Sequence, residues 1–257
     1  MGREMGMRSH MRPLDLRDDP KSPLAEAVRT LRTNLQYISL DRPLQTIVVT
    51  SALPAEGKTT VAANLAVALA DVGNRTIIVG ADLRKPSVHQ LFGGDNSVGV
   101  TSVLTGHATL DEALQKTDHP NLQLLASGPV PPNPAEMLGS QAMRSLIEQL
   151  VSRADKVIFD TPPVIAVTDA PLLAPALDGT LLVVRVGYTP RDVARQAKEQ
   201  LEKVNAKVLG IVANRIDKGR SSYYYYYYYY GSEADQVTAA NGRPAMGRAL
   251  ARLFGGR

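Results

Sequence analysis

The chain has 257 residues, which is enough for one large domain with a buried core. Its net charge of +4 is a mild basic excess, which suits phosphate ligands or an anionic membrane surface but is too small to indicate nucleic acid. The absence of cysteine excludes disulfides and thiolate metal sites, and no apolar run reaches the roughly 18 residues that span a bilayer. We therefore predict a soluble cytoplasmic protein that binds no nucleic acid.

The predicted elements begin after a polar segment, residues 1–21, which lacks the apolar core of a signal peptide and which we expect to be flexible. Ser22 and Pro23 are typical of a helix start, and apolar residues recur at helical spacing from Leu24 to Ile38. Continuous apolar runs predict buried parallel strands at residues 46–50, 76–80, 122–126, 156–160, 179–186 and 208–214. Further helices are predicted at residues 59–72, 135–153 and 190–204.

This alternation predicts a three-layer α/β fold over residues 22–217, in which helices cover both faces of a mostly parallel sheet. Ligands of such sheets bind beyond the carboxyl ends of the strands. The pattern ends near Lys218, and we expect residues 218–257 to form a flexible tail. That tail contains a run of consecutive tyrosines: Tyr223, Tyr224, Tyr225, Tyr226, Tyr227, Tyr228, Tyr229 and Tyr230.

Residues 52–60 read ALPAEGKTT, a relaxed P-loop pattern between a predicted strand and a predicted helix. In such loops, backbone N–H groups and the helix N-terminus cradle phosphates. Lys58 would reach the β- and γ-phosphates, and the Thr59 hydroxyl would bind Mg²⁺. Asn214 ends the last predicted strand, where its amide either reads the adenine edge or serves a turn. The predicted ATP-binding residues of the loop are Pro54, Ala55, Glu56, Gly57, Lys58, Thr59 and Thr60.

Charged side chains also follow two other predicted strands. Asp160 ends the run KVIFD, and Asp82 and Arg84 follow the run TIIVG. We predict that Asp82 and Asp160 hold the metal together with Thr59, that Asp82 accepts a proton, and that Arg84 steadies phosphate charge. Together with Lys58, these two aspartates and Arg84 form the predicted catalytic set.

These motifs resemble those of the bacterial tyrosine kinases over about residues 22–231. The segments VVTSALPAEGKTT, IIVGADLRKP and VIFDTPP resemble the family's Walker A, A′ and B motifs. The segment EAVRTLR, with Glu26, Arg29 and Arg32, resembles its E-x-x-R-x-x-R helix. The tyrosine run resembles the family's C-terminal autophosphorylation cluster.

The resemblance implies the fold of the MinD- and ParA-type ATPases and a non-specific protein-tyrosine kinase that uses MgATP to phosphorylate neighbouring copies of itself. It implies that Glu26, Arg29 and Arg32 mediate a ring-shaped homo-oligomer. It further implies a transmembrane activator of the polysaccharide co-polymerase type, which would hold the protein at the inner face of the cell membrane. A protein-tyrosine phosphatase would reverse the modification, and the system would regulate the biosynthesis and export of a capsular polysaccharide or exopolysaccharide.

Two positions depart from the family's pattern. Ala55 replaces a glycine or serine, a small change that we expect to be harmless. Gly80 replaces the first aspartate of the A′ motif, which predicts intact ATP binding with weakened phosphoryl transfer, and predicts that restoring the aspartate raises activity several-fold. A regulatory scaffold that only binds ATP is therefore an alternative. A partitioning or septum-positioning ATPase is another, although Leu53 stands where those proteins generally carry a lysine.

Overall fold

The computed structural model of the chain describes residues 21–38 and 43–216. The expected tail with its tyrosine run, and all but one residue of the expected N-terminal segment, lie outside the described residues. The described elements are α1 (Pro23–Ile38), β1 (Thr46–Ser51), α2 (Lys58–Ala70), β2 (Thr76–Gly80), α3 (Val88–Leu91), α4 (Val100–Leu104), α5 (Leu110–Ala113), β3 (Leu114–Lys116), β4 (Leu122–Leu125), α6 (Pro134–Leu138), α7 (Gln141–Arg153), β5 (Lys156–Asp160), α8 (Asp169–Leu173), a 3₁₀ turn (Ala174–Ala176), β6 (Gly179–Arg185), α9 (Arg191–Lys203) and β7 (Val208–Asn214).

The strands form one seven-stranded sheet in the order β3–β4–β2–β5–β1–β6–β7. Each neighbouring pair is parallel except β3–β4, which is antiparallel at the edge of the sheet. The mostly parallel α/β fold predicted from the sequence is therefore confirmed. Because β2, β5 and β1 lie side by side, the segments that follow them meet at one edge of the sheet.

Two apolar clusters cover the two faces of the sheet. One cluster contains Phe159 of β5 and the buried stripe of α7. The other contains Ile78 and Ile158 together with α1 and the alanine-rich α2, which is buried continuously from Ala62 to Ala70. Small side chains let α2 approach the sheet closely. The first residue of α2, Lys58, lies at the edge of the sheet where β1 ends.

The predicted helix over residues 135–153 is in fact two helices, α6 and α7. Ser140 separates them, because its Oγ accepts a hydrogen bond from the backbone N–H of Met143 at 3.2 Å and so begins a new helix. The start of α1 is confirmed by the same chemistry, since the Oγ of Ser22 accepts from the N–H of Ala25 at 3.1 Å. The three-residue strand β3 was not predicted, because its sequence, LQK, carries no apolar run.

The helix α1 packs against α2 of the same chain. The Nη1 of Arg32 donates to the carbonyl of Ala68 in α2 at 3.2 Å, while Arg29 forms an ion pair with Glu26 at 3.1 Å. Of the three residues predicted for an oligomer interface, Arg32 is thus also part of the intramolecular packing. Among the described helices, none combines the length and the hydrophobicity that are needed to cross a bilayer.

Candidate active site

The P-loop between β1 and α2 contains two residues in the left-handed backbone region, Ala55 (φ 63°) and Gly57 (φ 91°). Glycine is required at position 57, because a Cβ there would lie 2.2 Å from the Nδ2 of Asn214. Left-handed backbone costs a non-glycine residue roughly 1–2 kcal/mol. Ala55 therefore holds backbone strain that glycine would avoid, and the expectation that this replacement is harmless to function stays a prediction.

The ammonium group of Lys58 lies between two carboxylates that follow neighbouring strands. Its Nζ is 3.0 Å from the Oδ2 of Asp82 and 3.3 Å from the Oδ1 of Asp160. A third acceptor, the Oγ1 of Thr59, lies at 3.3 Å, so the three N–H groups of the ammonium have three acceptors. The structure thus brings together four predicted site residues that are spread over more than 100 positions of the chain.

The carboxylates of this cluster are withdrawn from water, with Asp160 1% exposed and Asp82 5% exposed. Burial raises the pKa of Asp160, against the opposing attraction of Lys58. Burial alone would lower the pKa of Lys58, but the negative charges of Asp160 and Asp82 outweigh it, and the pKa of Lys58 is raised. Lys58 is therefore a cation at neutral pH, and one cation faces two acidic groups.

One oxygen of Asp160, Oδ2, is buried and has no hydrogen-bond partner among the residues that the structure describes, which is a costly arrangement for a carboxylate. Within the described residues, no group of three His, Cys, Asp or Glu side chains is arranged to hold a metal without other ligands. Mg²⁺ is commonly bound by one or two carboxylates together with nucleotide phosphates and water. The orphaned oxygen of Asp160, with Asp82 and Thr59 nearby, fits a metal that is bound together with a nucleotide.

Arg84 is engaged by a carboxylate that the sequence analysis missed. Its Nε and Nη2 donate to the two oxygens of Asp169 at 2.9 and 2.8 Å, and Asp169, the first residue of α8, is fully buried. This bidentate pair ties the loop after β2 to the segment after β5. The structure thus gives Arg84 a role in holding the loop, and contact between its remaining N–H groups and phosphate stays a prediction.

Glu56 belongs to the P-loop, but its side chain points into the protein and is 0% exposed. Its Oε2 accepts from the backbone N–H of Leu53 at 2.8 Å, and its Oε1 accepts from the hydroxyl of Thr189. The backbone carbonyl of Glu56 accepts from the Nδ2 of Asn214 at 2.8 Å. Asn214 therefore supports the P-loop, and its recognition of adenine stays a prediction.

Gly80 ends β2 in register with Asp160 of β5. A Cβ at this position would lie 2.5 Å from the Oγ of Ser127, and 3.0 Å from both the Ser127 nitrogen and the Cγ1 of Val88. Ser127 is 1% exposed, and its Oγ donates to the carbonyl of Asp82 at 3.4 Å. An aspartate at position 80 would therefore first have to displace Ser127, and the expectation that it would raise activity stays a prediction.

Comparison with known proteins shows that this chain is similar to two groups. A ParA family model, described as NUBPL iron-transfer P-loop NTPase, matches residues 43–248. The chain is 45% identical over 196 residues to the tyrosine-protein kinase YwqD of Bacillus subtilis (strain 168), covering 76% of this chain and 83% of that protein. It is 34% identical over 218 residues to the putative tyrosine-protein kinase CapB of Staphylococcus aureus, covering 84% and 96%.

Solved structures give the same two connections. The chimerical protein CapA2B2 superposes with a TM-score of 0.76 and 40% identity, over 79% of this chain and 89% of that one. The septum site-determining protein MinD of Pyrococcus horikoshii OT3, complexed with Mg-ADP, superposes with a TM-score of 0.59 and 25% identity, over 68% and 71%. The expected relation to the MinD- and ParA-type fold is confirmed.

We expect Gly80→Ala to lower the free energy of unfolding by about 1–3 kcal/mol, because the added methyl group overpacks the contact with Ser127. Adding Ser127→Gly should recover part of that loss by removing the nearest clashing atom. Urea denaturation of the four proteins measures this coupling as a double-mutant cycle. Gly210→Ala is the matched control, since a Cβ there would meet no atom of residues 21–38 or 43–216 within 4 Å. Strictly additive losses would contradict the steric explanation.

We expect Asp160→Asn to raise the free energy of unfolding at neutral pH, because it removes the cost of burying a carboxylate whose pKa is raised by burial. The folded wild-type protein keeps a proton on Asp160 to a higher pH than the unfolded chain does. Its stability relative to the variant therefore falls as the pH rises from the ordinary carboxyl range through the raised pKa. Urea denaturation across pH should show the difference vanishing near pH ~3.

Asp178→Asn is a control for which we expect a change in the free energy of unfolding of the opposite sign. Asp178 is partly buried, but hydrogen bonds from Thr46 and Gln45 outweigh burial and lower its pKa. That carboxylate therefore stabilises the fold above the ordinary carboxyl range, and the stability is lost as the pH falls through the lowered pKa. The control should lose stability at neutral pH, and a neutral-pH loss for Asp160→Asn as well would contradict the account of its burial.

Proposed function

The chain belongs to the bacterial family of tyrosine-protein kinases, and on that premise we propose that it is a cytoplasmic, non-specific protein-tyrosine autokinase that transfers the γ-phosphoryl group of ATP to tyrosine hydroxyls. The observation that carries the proposal is the cluster of Lys58, Asp82 and Asp160 beside the P-loop. The acceptors we propose are Tyr223–Tyr230 of a neighbouring copy. A run of identical residues specifies no strand register, so it suits a substrate better than a packed strand.

We propose that different groups of the site bind the phosphates and the metal of MgATP. Backbone N–H groups of the P-loop and the N-terminus of α2 would bind phosphate oxygens, and Lys58 would contact the β- and γ-phosphates. Thr59, Asp82 and Asp160 would hold Mg²⁺. The metal would neutralise part of the phosphate charge.

Asp82 is the carboxylate that we propose as the proton acceptor. Its Oδ1 accepts the backbone N–H of Lys85 at 3.0 Å and its Oδ2 accepts from Lys58, so the group is held in one orientation. In the transfer, the phenolic oxygen bonds to the γ-phosphorus, the bond to the oxygen bridging to the β-phosphate breaks, and the phenolic proton passes to Asp82. With Gly80 in place of the family's first A′ aspartate, we propose that transfer is slowed. Because Asp82 remains as the proton acceptor, the slowing should stay below the roughly 10²–10⁴-fold that the loss of a general base typically costs.

We extend the proposal to assembly and regulation. The Glu26–Arg29 pair is partly exposed on α1, and we propose that it acts with Arg32 in a homo-oligomeric ring. The relatives are named as tyrosine-protein kinases, and the name of the solved chimera joins CapA to CapB. We propose a transmembrane activator of the polysaccharide co-polymerase type at the inner membrane face, a protein-tyrosine phosphatase that reverses the reaction, and control of capsular or exopolysaccharide export.

One observation favours a second candidate. Position 80 has no carboxylate, and a Cβ there would lie 2.5 Å from the Oγ of Ser127, so the chain would alternatively bind ATP and act as a scaffold without transferring phosphate. An ATPase of the partitioning or septum-positioning type would instead hydrolyse ATP in response to DNA or membrane without forming phosphotyrosine.

Incubation of the full chain with MgATP and the cytosolic segment of its activator should produce phosphotyrosine, measured by blotting. Lys58→Met should lower the signal by about 10²-fold or more, because no other described cation lies between the two strand-end carboxylates. Lys116→Met, on the exposed edge strand β3, is the matched control and should leave the signal unchanged. ATP binding without any phosphotyrosine would contradict the kinase and identify the scaffold.

Replacement of Tyr223–Tyr230 by phenylalanine should keep the ring assembled in MgATP, whereas the wild-type ring should dissociate. Each phosphotyrosine adds roughly −1.5 to −2 charges, and their mutual repulsion would eject the tail from a neighbour's site. Sedimentation velocity with and without MgATP measures the oligomer. Equal dissociation of the two proteins would rule out tail phosphorylation as the cause.

A further inference from the structure

A carboxylate within a phosphate-binding loop would repel the phosphate unless its side chain points away from the phosphate and is held in that position. Glu56 meets both conditions. Its side chain is 0% exposed, and each of its oxygens accepts a hydrogen bond from the protein. The bond from the N–H of Leu53 closes the loop across the left-handed Ala55, so the strained turn is held from within.

Thr189 holds Glu56 from outside the loop. It lies in the turn between β6 and α9, where its Oγ1 accepts the backbone N–H of Arg185 at 2.9 Å. Because that contact supplies the hydroxyl with a donor, the hydroxyl's own proton is directed to the Oε1 of Glu56. A second bond, from the N–H of Thr189 to the carbonyl of Arg185 at 2.9 Å, fixes the turn itself.

Asn214 adds a third attachment from the end of β7. Its Nδ2 donates to the carbonyl of Glu56 at 2.8 Å and occupies the space where a side chain at position 57 would project. The ends of β6 and β7 therefore converge on one residue of the P-loop. By contrast, Lys58 and Asp82 are held by contacts with each other and with β5.

We propose that the contact between Glu56 and Thr189 is a positioning device that sets the affinity for ATP without entering the transfer step. This inference rests on the ATP binding that is part of the proposed function. The contact fixes the backbone of the loop before the nucleotide arrives, and such preorganisation improves affinity by removing the cost of ordering the loop on binding. Its loss should therefore raise Kd and KM for ATP and leave kcat nearly unchanged, because Lys58 and Asp82 keep their own supports.

The test compares full-length Thr189→Val and Thr189→Ser with the wild-type chain. We expect Thr189→Val to raise the calorimetric Kd for MgATP about tenfold, since it removes the hydroxyl at nearly constant volume, and Thr189→Ser to bind within about twofold of wild type. In the transfer assay, Thr189→Val should raise KM by a similar factor while kcat stays within about twofold. Glu56→Gln is the second variant and should also weaken binding.

Thr117→Val is the matched control. The hydroxyl of Thr117 also makes two hydrogen bonds, since it donates to the carbonyl of Leu122 and accepts from the N–H of His119. It lies in the turn that leads into β4. The control variant should bind MgATP as the wild type does, although its thermal stability falls. Wild-type affinity in Thr189→Val, or an equal loss in Thr117→Val, would overturn the inference alone. A wild-type chain that binds no MgATP would overturn the proposed function as well.

Discussion

The site depends on the interaction of the Lys58 ammonium group with two buried carboxylates, those of Asp82 and Asp160. It exists because β2, β5 and β1 are adjacent, so that the segments after all three strands meet at one edge of the sheet. One cation cannot balance two buried acids, and within the described part of the chain one oxygen of Asp160 has no hydrogen-bond partner. Such an arrangement is a poor source of stability. It is better explained as an excess of negative charge that a further cation would balance. Functional sites retain such arrangements even though they destabilise the fold.

The loops around this cluster are held together by two charged side chains, those of Arg84 and Glu56. Arg84 is paired with the buried Asp169, which ties the loop after β2 to α8. Glu56 is held by Thr189, which ties the P-loop to the turn after β6. Each contact joins the loops of two different strands, so the edge of the sheet is a connected set of turns rather than a row of independent ones. Rigid loops of this kind keep Lys58 and its acceptors within hydrogen-bond distance.

The fold and the phosphate-binding loop could be predicted because both are encoded locally. The runs TIIVG and KVIFD form β2 and β5 with the predicted bounds, and the lysine and threonine of the P-loop lie at the start of α2, where its motif requires them. The roles of Arg84 and Glu56 could not be predicted, because their partners lie 85 and 133 residues away along the chain. The break between α6 and α7 could have been read from Ser140, whose capping role a long apolar pattern obscured. The tyrosine run lies outside the described residues, so its predicted role is untested.

The close approach of Ser127 to Gly80 also bears on how this sequence can evolve. Because a Cβ at position 80 would lie 2.5 Å from the Oγ of Ser127, a single substitution of Gly80 by aspartate would give a destabilised protein. Changes at both positions 80 and 127 would be needed together, and selection against unstable intermediates makes that route rare. The packing at the end of β2 therefore disfavours a second carboxylate in this motif for steric reasons, whatever the selective value of its chemistry.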